Sequence, residues 1–327
     1  AGILHAIGTS VGTWEKLTFE AKNSAALPKV NGGQQETTQP STEAPTQAPT
    51  QKPTETPTEE EASVDIPTTS GKYGKNFKAV AYYPNWYGDF TSKVQWDKLT
   101  HVNYSFALPN DNGTIDSVSG SASVINSLIS VAHANDVKVN VAVGGWSYSD
   151  GRECARVFEN ATNTDAKRQS LANAILAIVD QYGFDGVDID WEYPCSSLAG
   201  IASDPEDKEN FTLLLKAVRE RLDEAGNGYM LTIAAGGDAY FTAQTDMKEA
   251  VRYLDYVQLM AYDLQGGFQK ATGHHAALYF GSRNMSDACA DKAVRLFMEA
   301  GVPAEKIVLG IPFYSRKWED VKGGGTG

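Results

Sequence analysis

From about residue 74 onward the chain alternates two kinds of apolar pattern. Short, nearly continuous apolar runs at Lys78–Tyr83, Thr100–Phe106, Lys138–Val143, Gly186–Trp191, Met230–Ala235, Tyr256–Ala261 and Ile307–Ile311 read as strands covered on both faces. Between them, amphipathic stretches at Ser121–Asn135, Asp165–Tyr182, Pro205–Ala225, Thr245–Leu254 and Ser286–Ala300 read as helices. The Ser203-Asp204-Pro205 run supplies a cap and a first-turn proline for the third of these helices, and Gly226 ends it. Strict alternation of strand and helix implies a parallel sheet clothed in helices. Seven strands with acids at the end of the fourth predict a (β/α)8 TIM barrel of the α/β class, truncated after strand seven. A doubly wound sheet is less consistent with the pattern, because no glycine-rich fingerprint follows the first strand.

Upstream the periodicity disappears. Residues 34–58 hold five Pro, eight Thr and five Gln but no aromatic, Val, Ile or Leu, so the segment cannot bury enough apolar surface to offset its ordering entropy. It is expected to be an extended tether. The domain reading is therefore a remnant of a β-rich, carbohydrate-binding-like module at 1–31, a Pro/Thr/Gln-rich linker at 32–73, and the barrel at 74–327. Trp14–Phe19 is the expected strand of that remnant.

Composition narrows the function classes. A net charge of −13 excludes the electrostatic footprint of a nucleic-acid binder. No run of about 18 apolar residues exists to span a membrane. Three cysteines, Cys154, Cys195 and Cys289, neither make a disulfide framework nor have metal spacing, and no cofactor motif appears.

The chemistry is concentrated in the fourth strand. Asp188, Asp190 and Glu192 recur at two-residue spacing, which puts all three side chains on one face of a strand, roughly 7 Å apart from one to the next. Such a row is costly in a buried strand through lost hydration and mutual repulsion. It makes sense as a set that holds a proton near neutral pH, with Glu192 outermost as the acid and Asp188 deepest. A proton shared between Asp188 and Asp190 would keep Glu192 competent. Asp185, at the odd offset, faces the other way and is expected to bond backbone. The competing reading is an ion-pair ladder or a divalent-metal site, for which no basic or His partner lies nearby in sequence.

Asp185-Gly186-Val187-Asp188-Ile189-Asp190-Trp191-Glu192 resembles the DGxDxDxE signature of the family 18 glycoside hydrolases, and Tyr193-Pro194 is similar to the chitinase branch. Tyr82-Tyr83-Pro84-Asn85-Trp86, Ser105-Phe106-Ala107, Gly144-Gly145-Trp146, Met260-Ala261-Tyr262-Asp263 and Gly310-Ile311-Pro312-Phe313-Tyr314 with Arg316 resemble other strands of that family, in order. The resemblance implies retaining hydrolysis of chitin or chito-oligosaccharides by a substrate-assisted route, without a cofactor or metal. It implies Glu192 as acid, Asp190 holding the substrate acetamido N–H, Asp188 beneath it, and Tyr262 bonding the acetamido oxygen. It also places Tyr82, Phe106, Gly145, Trp146, Tyr193, Met260, Asp263 and Arg316 around the sugar. The chain departs from the pattern with Ala142 in place of a serine, Ser315 in place of a glycine, and no eighth strand bearing a tryptophan. A secreted monomer with a tethered carbohydrate-binding module is the expectation. The alternatives are an endo-β-N-acetylglucosaminidase acting on N-glycans and a non-catalytic chitin-binding lectin; retention of Glu192 disfavours the lectin. His274 and His275, in a glycine-rich loop, are expected to be exposed.

Overall fold

The computed structural model describes residues 77–146, 157–267, 269, 271–281 and 287–321, together with the backbone of Leu4–Ile7. The strands are β1 (Leu4–Ile7), β2 (Ala79–Pro84), β3 (His101–Pro109), β4 (Ile115–Val118), β5 (Lys138–Gly144), β6 (Gly186–Asp190), β7 (Met230–Gly236), β8 (Tyr256–Met260) and β9 (Ile307–Pro312). The helices are α1 (Ala122–His133), α2 (Val157–Thr162), α3 (Asp165–Tyr182), α4 (Asp207–Ala225), α5 (Ala239–Gln244), α6 (Met247–Ala250) and α7 (Ala290–Glu299). Strands β2, β3, β5, β6, β7, β8 and β9 pair in parallel in that order, which is the (β/α)8 barrel sheet with its seven expected strands. Between β9 and β2 the ring is completed in parallel by β1. The segment containing Trp14–Phe19 and the tether lies outside the described residues.

All seven expected strands form, within three residues of their predicted ends. Odd-numbered side chains of β6 face the helices: Val187, Ile189 and Trp191 join one large core with Leu171, Ile175 and Val179 of α3 and Phe211, Leu214 and Val218 of α4. Trp191 stacks on Phe158 of α2, with centroids 5.0 Å apart. Even-numbered side chains therefore face the barrel interior, as period-two alternation requires. The interior is layered: Val80, Tyr256 and Val308 pack at the N-terminal end, and Ala234, Met260 and Tyr262 at the C-terminal end.

The helix ends follow local chemistry. Ser121 and Thr164 side chains accept the Val124 and Lys167 amides at 3.3 Å each, opening α1 and α3. Gly183 and Gly226 close α3 and α4 in the left-handed region. Two expectations need correction. Helix α4 begins at Asp207 rather than Pro205, because the Asp204 carboxylate accepts the Glu206 amide while Asp207 Oδ2 turns back onto the Asp204 amide. The helix expected over Thr245–Leu254 shrinks to the four-residue α6, with the separate α5 ending just before it. Thr245 Oγ1 donates to the Phe241 carbonyl at the end of α5, and Asp246 restarts the chain by accepting the Glu249 amide. The short antiparallel β4 and the helix α2 had no clear periodic signal.

At the N-terminal end of the barrel three side chains pin backbone amides. Asp185 Oδ2 accepts the Val139 amide at 2.8 Å, Asp255 Oδ2 the Leu231 amide at 2.8 Å, and Thr100 Oγ1 the Ala79 amide at 2.8 Å. Asp185 also accepts from Lys138 Nζ and lies 2.7 Å from His133 Nε2. Burial alone would raise its pKa, but these hydrogen bonds outweigh it and hold the carboxyl below its ordinary value.

Candidate active site

The acid row lies where strand polarity places it. Asp188 and Asp190 sit within β6, 0% and 3% exposed, and Glu192 lies two residues past the strand end, only partly buried. Depth and parity follow the alternating sequence. Burial raises Asp188 to about 6, against hydrogen bonds that pull it down from Thr232, Tyr82 and Gln258. Asp190 is pushed well above the carboxylate range, first by burial and then by the charges of Glu192 and Asp188. Glu192 is raised to about 7, again mainly by burial, with the Asp263 charge adding to it and a hydrogen bond from Tyr193 opposing. These are the environments that keep an acid protonated near neutral pH.

Around the row, the loops after the strands set the walls. Gly144 and Gly145 end β5 with φ of +110° and +91°. A Cβ on Gly145 would lie 2.7 Å from the Phe106 ring, so only glycine lets that ring approach while its amide donates to the Asp190 carbonyl at 2.8 Å. Trp146 meets Tyr193 edge-on at 6.5 Å, and Tyr193 meets Phe241 likewise at 6.2 Å. Tyr82 is buried and donates its hydroxyl to Asp188 Oδ2 at 2.5 Å. Met260 packs with Ala234 and Tyr262.

On the opposite wall, Asp263 adopts φ +56° and gathers a small charge cluster. Tyr314 donates to its Oδ2 at 2.6 Å and Arg316 Nε to its Oδ1 at 2.5 Å. His275 corrects the expectation of exposure: its side chain is 15% exposed, with Nδ1 3.5 Å from Asp263 Oδ1, and its ring leans on Tyr314. The backbone explains this, since the His275 carbonyl accepts the Leu264 amide and folds the loop back onto the strand end. His274 is exposed as expected.

The Tyr262 hydroxyl and Asp190 Oδ1 are both buried, and neither has a hydrogen-bond partner among the described residues. Burying such atoms without partners is costly. No group of three metal-ligating side chains occurs among the described residues. Cys195 and Cys289 are buried free thiols, and Cys154 lies outside the described residues.

Sequence reasoning brought together the acid row, Tyr82, Phe106, Gly145, Trp146, Tyr193, Met260, Tyr262, Asp263 and Arg316. It missed Asn103, Thr232 and Gln258, which the barrel folds onto Asp188 from β3, β7 and β8. For Thr232 and Gln258 the signal was a lone polar residue inside an otherwise apolar strand, at the inward parity; Asn103 shares its strand with His101 and Ser105.

The barrel with its acid row belongs to the glycosyl hydrolases family 18, whose model matches residues 78–327. The chain is 33% identical over 328 residues to Chitinase A1 of Niallia circulans, covering 81% of this chain and 46% of that protein. It is similar to the solved family 18 N-acetylglucosaminidase of Paenibacillus barengoltzii, with 41% identity and a TM-score of 0.65 over 72% of this chain and 68% of that one. It also resembles catalytic domain 2 of the Ostrinia furnacalis Group II chitinase, at 26% identity and a TM-score of 0.70, over 77% of this chain and 68% of that one. The chain spans about half to two thirds of the length of the first curated relatives it matches.

Proposed function

We propose that the barrel hydrolyses β-1,4-linked N-acetylglucosamine polymers, chitin or chito-oligosaccharides, with retention and by substrate assistance. The observation that carries this reading is the pairing of an acid raised to about 7, Glu192, with two buried groups that have no partner among the described residues, Asp190 Oδ1 and the Tyr262 hydroxyl, at the same barrel mouth. Two carboxyls on one strand end favour help from the substrate itself over a protein nucleophile on the far face of the sugar.

In the proposed reaction Glu192 gives its proton to the glycosidic oxygen as the bond from that oxygen to the anomeric carbon breaks. The acetamido carbonyl oxygen of the same sugar forms the new bond to that carbon, giving an oxazolinium ion. Asp190 accepts the acetamido N–H and offsets the positive charge, and the Tyr262 hydroxyl donates to the acetamido oxygen and fixes its line of attack. A water then attacks the anomeric carbon as the bond from that carbon to the acetamido oxygen breaks and restores the acetamido group, and the Glu192 carboxylate takes the water's proton, regenerating the acid. Tyr82, Phe106, Gly145, Trp146, Tyr193, Met260, Asp263 and Arg316 form the subsites, with aromatic faces against the pyranose rings. The Pro/Thr tract at 32–73 serves as a tether in a secreted enzyme.

The test is hydrolysis of N-acetyl chito-oligosaccharides, with the anomer of the first product read by NMR. Retention and competitive inhibition by a thiazoline mimic are expected; inversion, or brisk cleavage of a substrate lacking the acetyl group, would rule the route out. The resemblance to an N-acetylglucosaminidase carries a second reading, release of single sugars from chain ends, and product length separates the two.

A further inference from the structure

Asp263 lies just past β8 and Arg316 just past β9, and their pair is braced by a loop to which neither belongs. The loop runs from Leu264 to His275, and its ends are joined where the Leu264 amide donates to the His275 carbonyl at 3.0 Å. Inside it, Gln265 is 5% exposed and donates Nε2 to the Ala271 carbonyl at 2.6 Å, while Gln269 Oε1 accepts the Gly266 amide at 2.6 Å. Gln265 also covers Gly273, where a Cβ would stand 2.7 Å from its Cγ. A loop packed by its own side chains acts as one unit. This unit meets both members of the pair. A Cβ on Gly266 would lie 3.2 Å from Arg316 Nε, and His275 Nδ1 lies 3.5 Å from Asp263 Oδ1.

The Asp263 carboxylate has room for that third donor. The Tyr314 hydroxyl donates to Oδ2 at 2.6 Å, and Arg316 Nε and Nη2 both stand 2.5 Å from Oδ1. An ionised carboxylate offers about four acceptor positions, so one is left after these three contacts. His275 Nδ1 is buried and has no hydrogen-bond partner among the described residues. A bare nitrogen lone pair facing a carboxylate oxygen is repelled, whereas an N–H there is attracted, so the ring carries a proton on Nδ1. Tyr314 supports the ring, with centroids 5.5 Å apart, and the Arg316 guanidinium overlies the same Tyr314 at 5.9 Å. A small approach of the imidazole closes the contact to hydrogen-bond length, the tightening that commonly accompanies filling of a site.

We propose that His275 is a positioning residue for the sugar-binding wall: its Nδ1–H holds the Asp263 carboxylate in the orientation that presents the Asp263–Arg316 pair to a sugar hydroxyl. It therefore sets how tightly the chito-oligosaccharide is held and not how fast it is cleaved. This rests on the hydrolase reading above.

His275→Leu removes the donor, and His275→Asn returns an N–H near the position of Nδ1. On N-acetyl chito-oligosaccharides, His275→Leu should raise KM about ten-fold, the size of one hydrogen bond to an ionised group, and leave kcat within about two-fold. His275→Asn should stay near wild type in both. In an Asp263→Asn background, His275→Leu should add no further loss, because the carboxylate it acts through is gone. Equal losses in His275→Leu and His275→Asn would show that the ring only fills space, and a full additional loss in the Asp263→Asn background would show that it does not act through Asp263; either overturns the proposal. Long-range 15N–1H NMR of the His275 imidazole in the unaltered protein reads the contact without turnover. A protonated Nδ1 whose shift changes in Asp263→Asn is expected, and a bare Nδ1 overturns the proposal even where the variants fail to fold. A protonated, Asp263-sensitive Nδ1 in a protein that cleaves no chito-oligosaccharide supports the contact and overturns the hydrolase reading instead.

Discussion

Replacing Glu192 by Gln removes a titrating proton while keeping shape, and the surroundings of Glu192 give the change a stability signature as well as a catalytic one. The carboxyl has an ordinary value of 4.5 and is raised to about 7 in the folded chain. Between those values the folded state binds more protons than the unfolded state, so the wild type loses stability as pH rises through the window. Linkage puts the loss at about 1 kcal/mol at pH 5 and about 3 kcal/mol at pH 8. Because Glu192 is only partly buried, solvent screening trims the difference between the two pH values to roughly 2 kcal/mol. Glutamine does not titrate, so Glu192→Gln should be more stable than wild type, with an advantage that grows by that amount from pH 5 to pH 8. Its turnover should fall by at least about 10²–10⁴-fold, the range for a lost general acid. Paired urea denaturation at the two pH values and a chito-oligosaccharide assay read both quantities. A stability difference that does not change with pH would show that the carboxyl is not in this environment, and near wild-type turnover would remove Glu192 from the chemistry.

Tyr262→Phe deletes a buried hydroxyl that has no partner among the described residues, so thermal stability should hold or rise while kcat drops about 10²-fold; a loss of stability with intact kcat would refute the assigned role. His101 is lowered to about 4, mainly by burial and then by Lys78, so it is neutral when folded and takes up a proton on unfolding below its ordinary 6.5. Stability should therefore fall by about 2 kcal/mol from pH 8 to pH 5 through this group, and His101→Asn should flatten that slope in urea denaturation. Gly145→Ala should cost about 1–3 kcal/mol and weaken binding of chito-oligosaccharide, measured by calorimetry, because the added carbon meets the Phe106 ring at a backbone angle that favours glycine.

The strands were legible because a strand covered on both faces leaves a continuous apolar run that few other environments produce. The acid row was legible because three carboxylates at period two have no comfortable structural explanation. What escaped the sequence depends on closure of the barrel. Thr232 and Gln258 acquire meaning only when β7 and β8 come round to face β6, and nothing local to either residue announces an acid across the interior. His275 was misread because a glycine-rich loop looks solvated until its backbone bonds to Leu264 and turns the ring inward. The expected helix over Thr245–Leu254 failed where Thr245 and Asp246 bonded their own neighbourhood in preference to continuing the turn.

The amide clamp made by Asp185 has a bearing on the acid row that its position at the N-terminal end of the barrel conceals. By gripping the Val139 N–H, it fixes how far β6 slides against β5 before the chain reaches the first catalytic-row aspartate. A slip of a single residue there would turn Asp188, Asp190 and Glu192 into the helix layer and aim Val187, Ile189 and Trp191 into the barrel interior. The opening residue of the acidic signature is thus a phase-setter for the rest, and its loss would scramble the acid row from a distance.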